Sequence, residues 1–200
     1  MPTPTIEFFW DPASPYTYLA STQIEKLAAA VGAGLMWKPF LLGKAFEATG
    51  NKAPASVPAK GKWLFKDVEM WGRHYDVPVA FPGSFPINSL LPQRVACAAL
   101  EAGQGTAFAK AVMRAHWGEG KDIGQPTELS QIAFTVGLDG AALLARAQDP
   151  LIKDMLRTFT DDAIKRGAFG APTFFVDKQM FWGNDRLVLL EDYLRGKLAA

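Results

Sequence analysis

The apolar positions change period several times along the chain, and each change marks an element. Ile6 to Trp10 is a β-branched and aromatic run that suits a buried strand. After the turn Asp11-Pro12-Ala13-Ser14-Pro15, the residues Ala20, Ile24, Leu27, Ala28 and Val31 recur at helical spacing, with Gly32 and Gly34 as stop signals. Leu35 to Leu42 is a second apolar run of strand length. A short right-handed crossover between the two runs predicts parallel strands. Gly43 to Ala59, rich in Gly, Pro, Ala and Asn, reads as a loop.

Helical spacing then dominates. Leu64, Val68, Trp71 and Tyr75 share one face, and Leu91, Val95, Ala98 and Ala102 share another. The stretch V-P-V-A-F-P-G-S-F-P between them is too rich in proline for a helix or a central strand. Leu129, Ile132, Ala133 and Val136 continue the pattern. Asp149 and Pro150 offer an N-cap and first residue for a helix through Ile152, Met155, Leu156, Phe159 and Ala163. Strand character returns in G-A-P-T-F-F-V-D-K-Q-M-F-W-G, two runs around an Asp177-Lys178 turn that predict a hairpin. Leu187, Leu190, Leu194 and Leu198 predict a final helix. This order is that of an α/β thioredoxin-like fold split by a large all-helical insertion. Residues 1–45 and 165–200 would form the thioredoxin-like domain and 46–164 the insertion.

Composition narrows the function. The 200 residues are 49% hydrophobic, enough for one sizeable core. The formal charge of +1 provides no general field for nucleic acid or anionic lipid, so any anion needs a local site. The single cysteine, Cys97, excludes an intrachain disulfide and a C-x-x-C redox pair, and its run V-A-C-A-A-L reads as buried. The first ten residues lack the basic and apolar regions of a secretory signal, and no run approaches the roughly 20 apolar residues of a membrane span. A cytoplasmic location is expected. His74 and His116 lack metal-ligand spacing, so no metal is expected.

Three stretches carry candidate chemistry. Ser14 stands at an N-cap with Pro15 at the first helical position. Its hydroxyl either caps the helix or, beside unpaired N–H groups and the helix dipole, donates to a thiolate. In Phe169-Gly170-Ala171-Pro172-Thr173, the proline is either a loop or edge-strand residue or the cis-proline of a thioredoxin fold. In the second case Ala171 presents its N–H and C=O to an extended peptide, and Gly170 permits close approach. In Trp182-Gly183-Asn184-Asp185-Arg186-Leu187, Asn184 or Asp185 caps the last helix, or the helix start faces an anion and Asp185 accepts from an α-ammonium.

Taken together, these stretches resemble the kappa-class glutathione transferases and the 2-hydroxychromene-2-carboxylate isomerases, both DsbA-like thioredoxin folds. Ser14-Pro15-Tyr16, Phe169 to Thr173, Trp182 to Leu187, F-P-G-S-F and Trp117-Gly118-Glu119-Gly120 match family motifs in the right order over nearly the whole chain. The resemblance implies glutathione as cofactor, with Ser14 catalytic and bonded to its sulfur. It implies Ala171 and Pro172 on the cysteinyl backbone, and Trp182, Gly183, Asn184 and Asp185 at the γ-glutamyl end. Asn51, Lys60 and Phe85 would border an aromatic substrate, in a pocket lined by residues 43–60 and F-P-G-S-F-P. The implied reaction is conversion of 2-hydroxychromene-2-carboxylate to trans-o-hydroxybenzylidenepyruvate in aromatic catabolism. In it the thiolate adds to the cyclic hemiketal, the ring opens, a carbon–carbon bond turns and the thiol leaves. A homodimer is the family habit. Two alternatives stand beside it: a kappa-like transferase or peroxidase acting on another electrophile, and a non-catalytic module binding peptides at the cis-proline.

Overall fold

The computed structural model describes residues 3–198, so positions 1–2 and 199–200 of the expected thioredoxin-like segments lie outside the described residues. In chain order the elements begin with β1 (Thr5–Trp10), α1 (Pro15–Ser21), α2 (Ile24–Val31), β2 (Gly34–Pro39), α3 (Leu42–Thr49) and α4 (Pro58–Tyr75). They continue with α5 (Leu90–Glu101), α6 (Gly105–Met113), α7 (Pro126–Thr135), α8 (Gly140–Arg146) and α9 (Pro150–Lys165). The hairpin β3 (Thr173–Val176) and β4 (Gln179–Trp182) and the helix α10 (Leu187–Leu194) complete them.

The sheet order is β2-β1-β3-β4, with β2 parallel to β1 and β3 antiparallel on its other side. This is the predicted thioredoxin-like arrangement, and α3 to α9 separate β2 from β3. Alternation along β1 builds two cores. Ile6, Phe8 and Trp10 face one, where the Phe8 ring stacks on Phe174 at 4.9 Å and meets the Trp37 edge at 4.8 Å. Phe9 faces the other, set at right angles to Phe40 and Phe175. Each buried aromatic contributes about 1.5–3 kcal/mol. Both faces therefore need cover. Residues of α2, α5 and α10 close the first, and residues of α3 and α9 close the second. No described helix is long and apolar enough to cross a membrane.

Local chemistry corrects four of the expectations. The single helix expected through Ala20 to Val31 is two, broken at Thr22-Gln23. There Ser21 and Thr22 turn their hydroxyls back onto the carbonyls of Tyr18 and Leu19, at 2.6 and 2.7 Å. Gly32 ends α2 with φ of 66°, but Gly34 opens β2 rather than stopping a helix. Residues 43–59 are a loop only between Gly50 and Val57. Leu42 and Ala45, three apart and buried, fold the segment into α3 over the Phe9 face. Pro58 then starts α4, which puts Ala59 and Lys60 in a helix. Leu198 lies beyond α10 and is exposed. The Asp149-Pro150 start of α9 stands as expected, with Asp149 accepting from the Leu151 N–H at 2.8 Å.

Gly140 gives the packing of α7 on α8 a direct check. A Cβ there would stand 2.5 Å from Ser130 Cα and 2.6 Å from Ser130 O, so backbone must move. Gly140→Ala should destabilise the protein by about 1–3 kcal/mol. Each kcal/mol lowers the melting temperature by about 2–4 °C. An unchanged midpoint in scanning calorimetry would contradict this packing.

Candidate active site

Past Trp10 the chain turns off the C-terminal edge of the sheet. Asp11 Oδ1 accepts the Ala13 N–H at 2.8 Å, and the Asp11 carbonyl accepts the Ser14 N–H at 3.1 Å. Ser14 occupies the N-cap of α1 in an extended conformation, and its carbonyl accepts from Thr17 and Tyr18. Its hydroxyl does not cap the helix. Instead Ser14 Oγ donates to the Ala171 carbonyl at 2.9 Å, a buried bond across 157 positions. Among the described residues, Tyr16 keeps the free N–H of the first turn.

The peptide bond Ala171–Pro172 is cis, as a thioredoxin fold implies, and the Ala171 N–H has no partner among the described residues. The Pro172 carbonyl accepts from Gly183 N–H at 3.0 Å. Gly183 has φ of 107°, a conformation open in practice to glycine alone. Two hydrogen bonds thus join the three motifs at one place. Trp182 lies against Phe169, ring centroids 4.7 Å apart, and its Nε1 sits 2.3 Å from where a Gly170 Cβ would stand. The close approach that Gly170 permits is therefore to Trp182.

Other predicted residues fall at different distances from this junction. Asn51 Nδ2 donates to Phe169 O at 2.9 Å, which ties the loop after α3 to the cis-proline segment. Asn184 is buried with its Nδ2 unpartnered, and its carbonyl faces the Tyr75 hydroxyl at 3.5 Å. Neither Asn184 nor Asp185 caps a helix: residues 184–186 form a 3₁₀ turn, and Asp185 pairs with Arg186. Phe85 packs on Trp117 at 5.5 Å, and Trp117 Nε1 donates to the Pro12 carbonyl of the Ser14 turn at 2.7 Å. Lys60 is exposed in the first turn of α4, without a hydrogen bond or ion pair to these residues. A cavity of about 510 Å³ opens beside F-P-G-S-F-P, lined by Ser84, Pro86, Ile87, Leu91 and Arg94 among others. Neither residues 43–60 nor Ser14, Ala171, Pro172 and Gly183 line it, so it is separate from the junction.

Several bonds that matter here are not foreseen by the sequence. Tyr16 donates to Asp67 at 2.7 Å and so ties α1 to α4; burial and the Asp67 carboxylate push its phenol up. Gln93, wholly buried, donates to both Trp10 O and Phe40 O and holds the ends of β1 and β2 together. Asp11 is wholly buried, and burial raises its carboxyl to about 6. The available signals were a charged residue directly after an apolar strand and a glutamine inside an apolar helix. His116 is buried with Nδ1 donating to Lys121 O, and burial lowers its pKa. Cys97 is buried, which pushes its thiol up to about 12. Among the described residues, no three His, Cys, Asp or Glu side chains are grouped to hold a metal.

Comparison with known proteins places this geometry. The model of the DSBA-like thioredoxin domain matches residues 5–195. A 2-hydroxychromene-2-carboxylate isomerase of Sphingobium xenophagum is 40% identical over 197 residues, covering 96% of this chain and 98% of the relative. Human glutathione S-transferase kappa 1 is 28% identical, covering 96% of this chain and 92% of its own. The solved structure of a 2-hydroxychromene-2-carboxylate isomerase superposes with a TM-score of 0.86 at 29% identity, over 97% of this chain and 95% of that one.

The Asp11 carboxyl makes stability depend on pH in a definite direction. Between pH 4 and 6 the folded chain keeps a proton on Asp11 that the unfolded chain has released, so this group's contribution falls as pH rises. The full loss is about 3 kcal/mol. Asp11→Asn should remove that slope, so urea denaturation of wild type and variant at pH 4.5 and 6.5 should diverge. Parallel pH dependence in the two proteins would refute the assignment.

Proposed function

The chain belongs to the DSBA-like thioredoxin domain family, and within it we propose that the protein is a glutathione-dependent isomerase. Its proposed reaction converts 2-hydroxychromene-2-carboxylate to trans-o-hydroxybenzylidenepyruvate in aromatic catabolism. The observation that carries this reading is the junction of Ser14, Ala171–Pro172 and Gly183, built around a hydroxyl with no thiol beside it.

The polar groups of the junction fit a γ-glutamyl tripeptide. Ser14 Oγ and Ala171 O satisfy each other. A thiolate and a peptide N–H would replace each partner in kind, leaving no buried group unpaired. The Ala171 N–H and Asn184 Nδ2 are free donors suited to a peptide carbonyl and a carboxylate. Asp185 offers an α-ammonium the carboxylate it now shares with Arg186. Bound glutathione supplies the nucleophilic thiol that adds to the substrate and leaves it.

The protein's part is to ionise that thiol and aim it. A free thiol with pKa near 8.5 is about 3% ionised at pH 7, and lowering it by roughly two units takes about 2.7 kcal/mol. A hydrogen bond from Ser14 to the charged sulfur supplies about 1.5–3 kcal/mol. The Tyr16 N–H at the start of α1 adds to it. Since α1 has only seven residues, the hydroxyl carries the larger share. Cys97 takes no part, being buried and protonated at neutral pH. Asn51, Lys60 and Phe85 border the substrate in this reading, and the protein acts in the cytoplasm as a homodimer.

A second reading keeps the site and changes the electrophile. Residues 49–54, T-G-N-K-A-P, lean in sequence towards the kappa branch, and the bond from Asn51 brings them to Phe169 beside the cis-proline. That favours a transferase or peroxidase. Turnover of the chromene carboxylate and of aryl halides, with and without glutathione, separates the two.

Ser14→Ala should move the ultraviolet titration of bound glutathione, read near 240 nm, alkaline by about one to two pKa units. The rate at pH 7 should fall tenfold or more. An earlier melt with an unchanged thiol titration and rate per folded molecule would reduce Ser14 to a structural serine. Cys97→Ala should leave turnover within about threefold of wild type, a factor worth less than 1 kcal/mol; a steady-state assay checks this, and a larger loss would put Cys97 in the chemistry.

A further inference from the structure

The turn that carries Ser14 also carries a charge that thiol activation does not use. Asp11 is wholly buried, and its carboxylate is bonded from three segments. The Ala13 N–H donates to Oδ1 at 2.8 Å. The Leu42 N–H, at the start of α3, donates to Oδ2 at 2.8 Å, and the Ser89 hydroxyl donates to the same oxygen at 2.9 Å. All three donors are neutral, and among the described residues no salt bridge involves Asp11. An unpaired carboxylate is expensive to bury, and an apolar side chain would fill the space at less cost. Packing alone does not account for it.

The serines around Asp11 also break a local rule. Asp139 and Asp149 cap α8 and α9 with their own side chains. Ser14 and Ser89 hold the N-cap positions of α1 and α5, yet neither hydroxyl caps its helix. Ser89 gives its hydroxyl to Asp11, and Ser14 gives its own to Ala171. Stability is forgone at both helix starts, which is what a site set by geometry rather than by local preference shows.

The connections of the carboxylate say what geometry it sets. Oδ1 fixes the Pro12–Ala13 peptide, and the Asp11 main-chain carbonyl holds the Ser14 N–H that follows it. Oδ2 fixes the start of the helix leading to Asn51 and Ser89, three residues past F-P-G-S-F-P. We propose that Asp11 is the positioning residue of the site. It locks the Pro12–Ala13 peptide, one unit ahead of Ser14, to the beginnings of α3 and α5, and so sets where the Ser14 hydroxyl stands relative to the sulfur and to the segments beside the substrate. This inference rests on the reading of Ser14 as the thiol's hydrogen-bond donor.

The test compares bound-glutathione titrations near 240 nm, with melting curves, in wild type, Ser14→Ala, Asp11→Asn and Ser89→Ala. Asparagine has one acceptor oxygen, so Asp11→Asn must leave either the Ala13 or the Leu42 N–H facing an amide NH₂. Ser89→Ala removes one bond and keeps the carboxylate with both backbone bonds. In Asp11→Asn the bound thiol should bind its proton about three- to tenfold more tightly, half to one pKa unit. Ser89→Ala should shift it in the same direction by less. If Asp11→Asn melts earlier but titrates like wild type, the proposal is overturned and Asp11 is structural. If Asp11→Asn does not fold, Ser89→Ala decides, and a wild-type titration in that variant overturns the proposal. If Ser14→Ala shifts the thiol and neither other variant does, Asp11 alone is refuted. If wild type itself leaves the thiol at its free value, the glutathione reading fails first and the role of Asp11 falls with it.

Discussion

β1 is buried on both faces, and much of the molecule is arranged by that constraint. A strand with Phe8 on one side and Phe9 on the other needs helical cover above and below, so only its ends are open to chemistry. Register then decides what meets at the C-terminal end. Phe9 lies opposite Thr173 and Thr173 opposite Trp182. The residues just before β3 and just after β4 must therefore lie beside the turn that follows β1. The cis Ala171–Pro172 bond and Gly183 are those residues. Three motifs far apart in sequence share one sheet edge because two antiparallel pairings put them there.

What the sequence reveals and what it hides follow from range. The strands are legible because their aromatic runs are local and continuous, and the Asp149 cap is legible because its acceptor and donor are two residues apart. The motifs at the site lie directly against strand ends, so locating β1 and the hairpin located them as well. The partner of the Ser14 hydroxyl was not legible: cap position is a local property, but the carbonyl it binds is 157 residues away. The same holds for Ser89 and Asp11. α3 was hidden for another reason. Its glycine and alanines imitate a loop, and the apolar pair that makes it a helix has meaning only once the Phe9 face needs cover. The break at Thr22 depends on which way two hydroxyls turn, which spacing does not encode.

The site also satisfies part of its own polar chemistry. Ser14 and Ala171, Pro172 and Gly183, and Asp185 and Arg186 satisfy one another in pairs. A ligand that brings donors and acceptors of the same kinds exchanges partners rather than filling a void.

The long span between Ser14 and Ala171 has a consequence for synthesis. A ribosome adding roughly 5–20 residues per second delivers β3 about 8–30 s after β1. Throughout that interval β1 has β2 on one side and an unpaired row of N–H and C=O groups on the other, the kind of edge that recruits foreign strands. The helices made in between form from local contacts and can cover the faces of the nascent sheet, but none of them can seal its edge. For this chain the late segment 171–198 is at once the plug for an aggregation-prone edge and the part that completes the site. A truncated or stalled product is exposed in the same stroke that it is inactive.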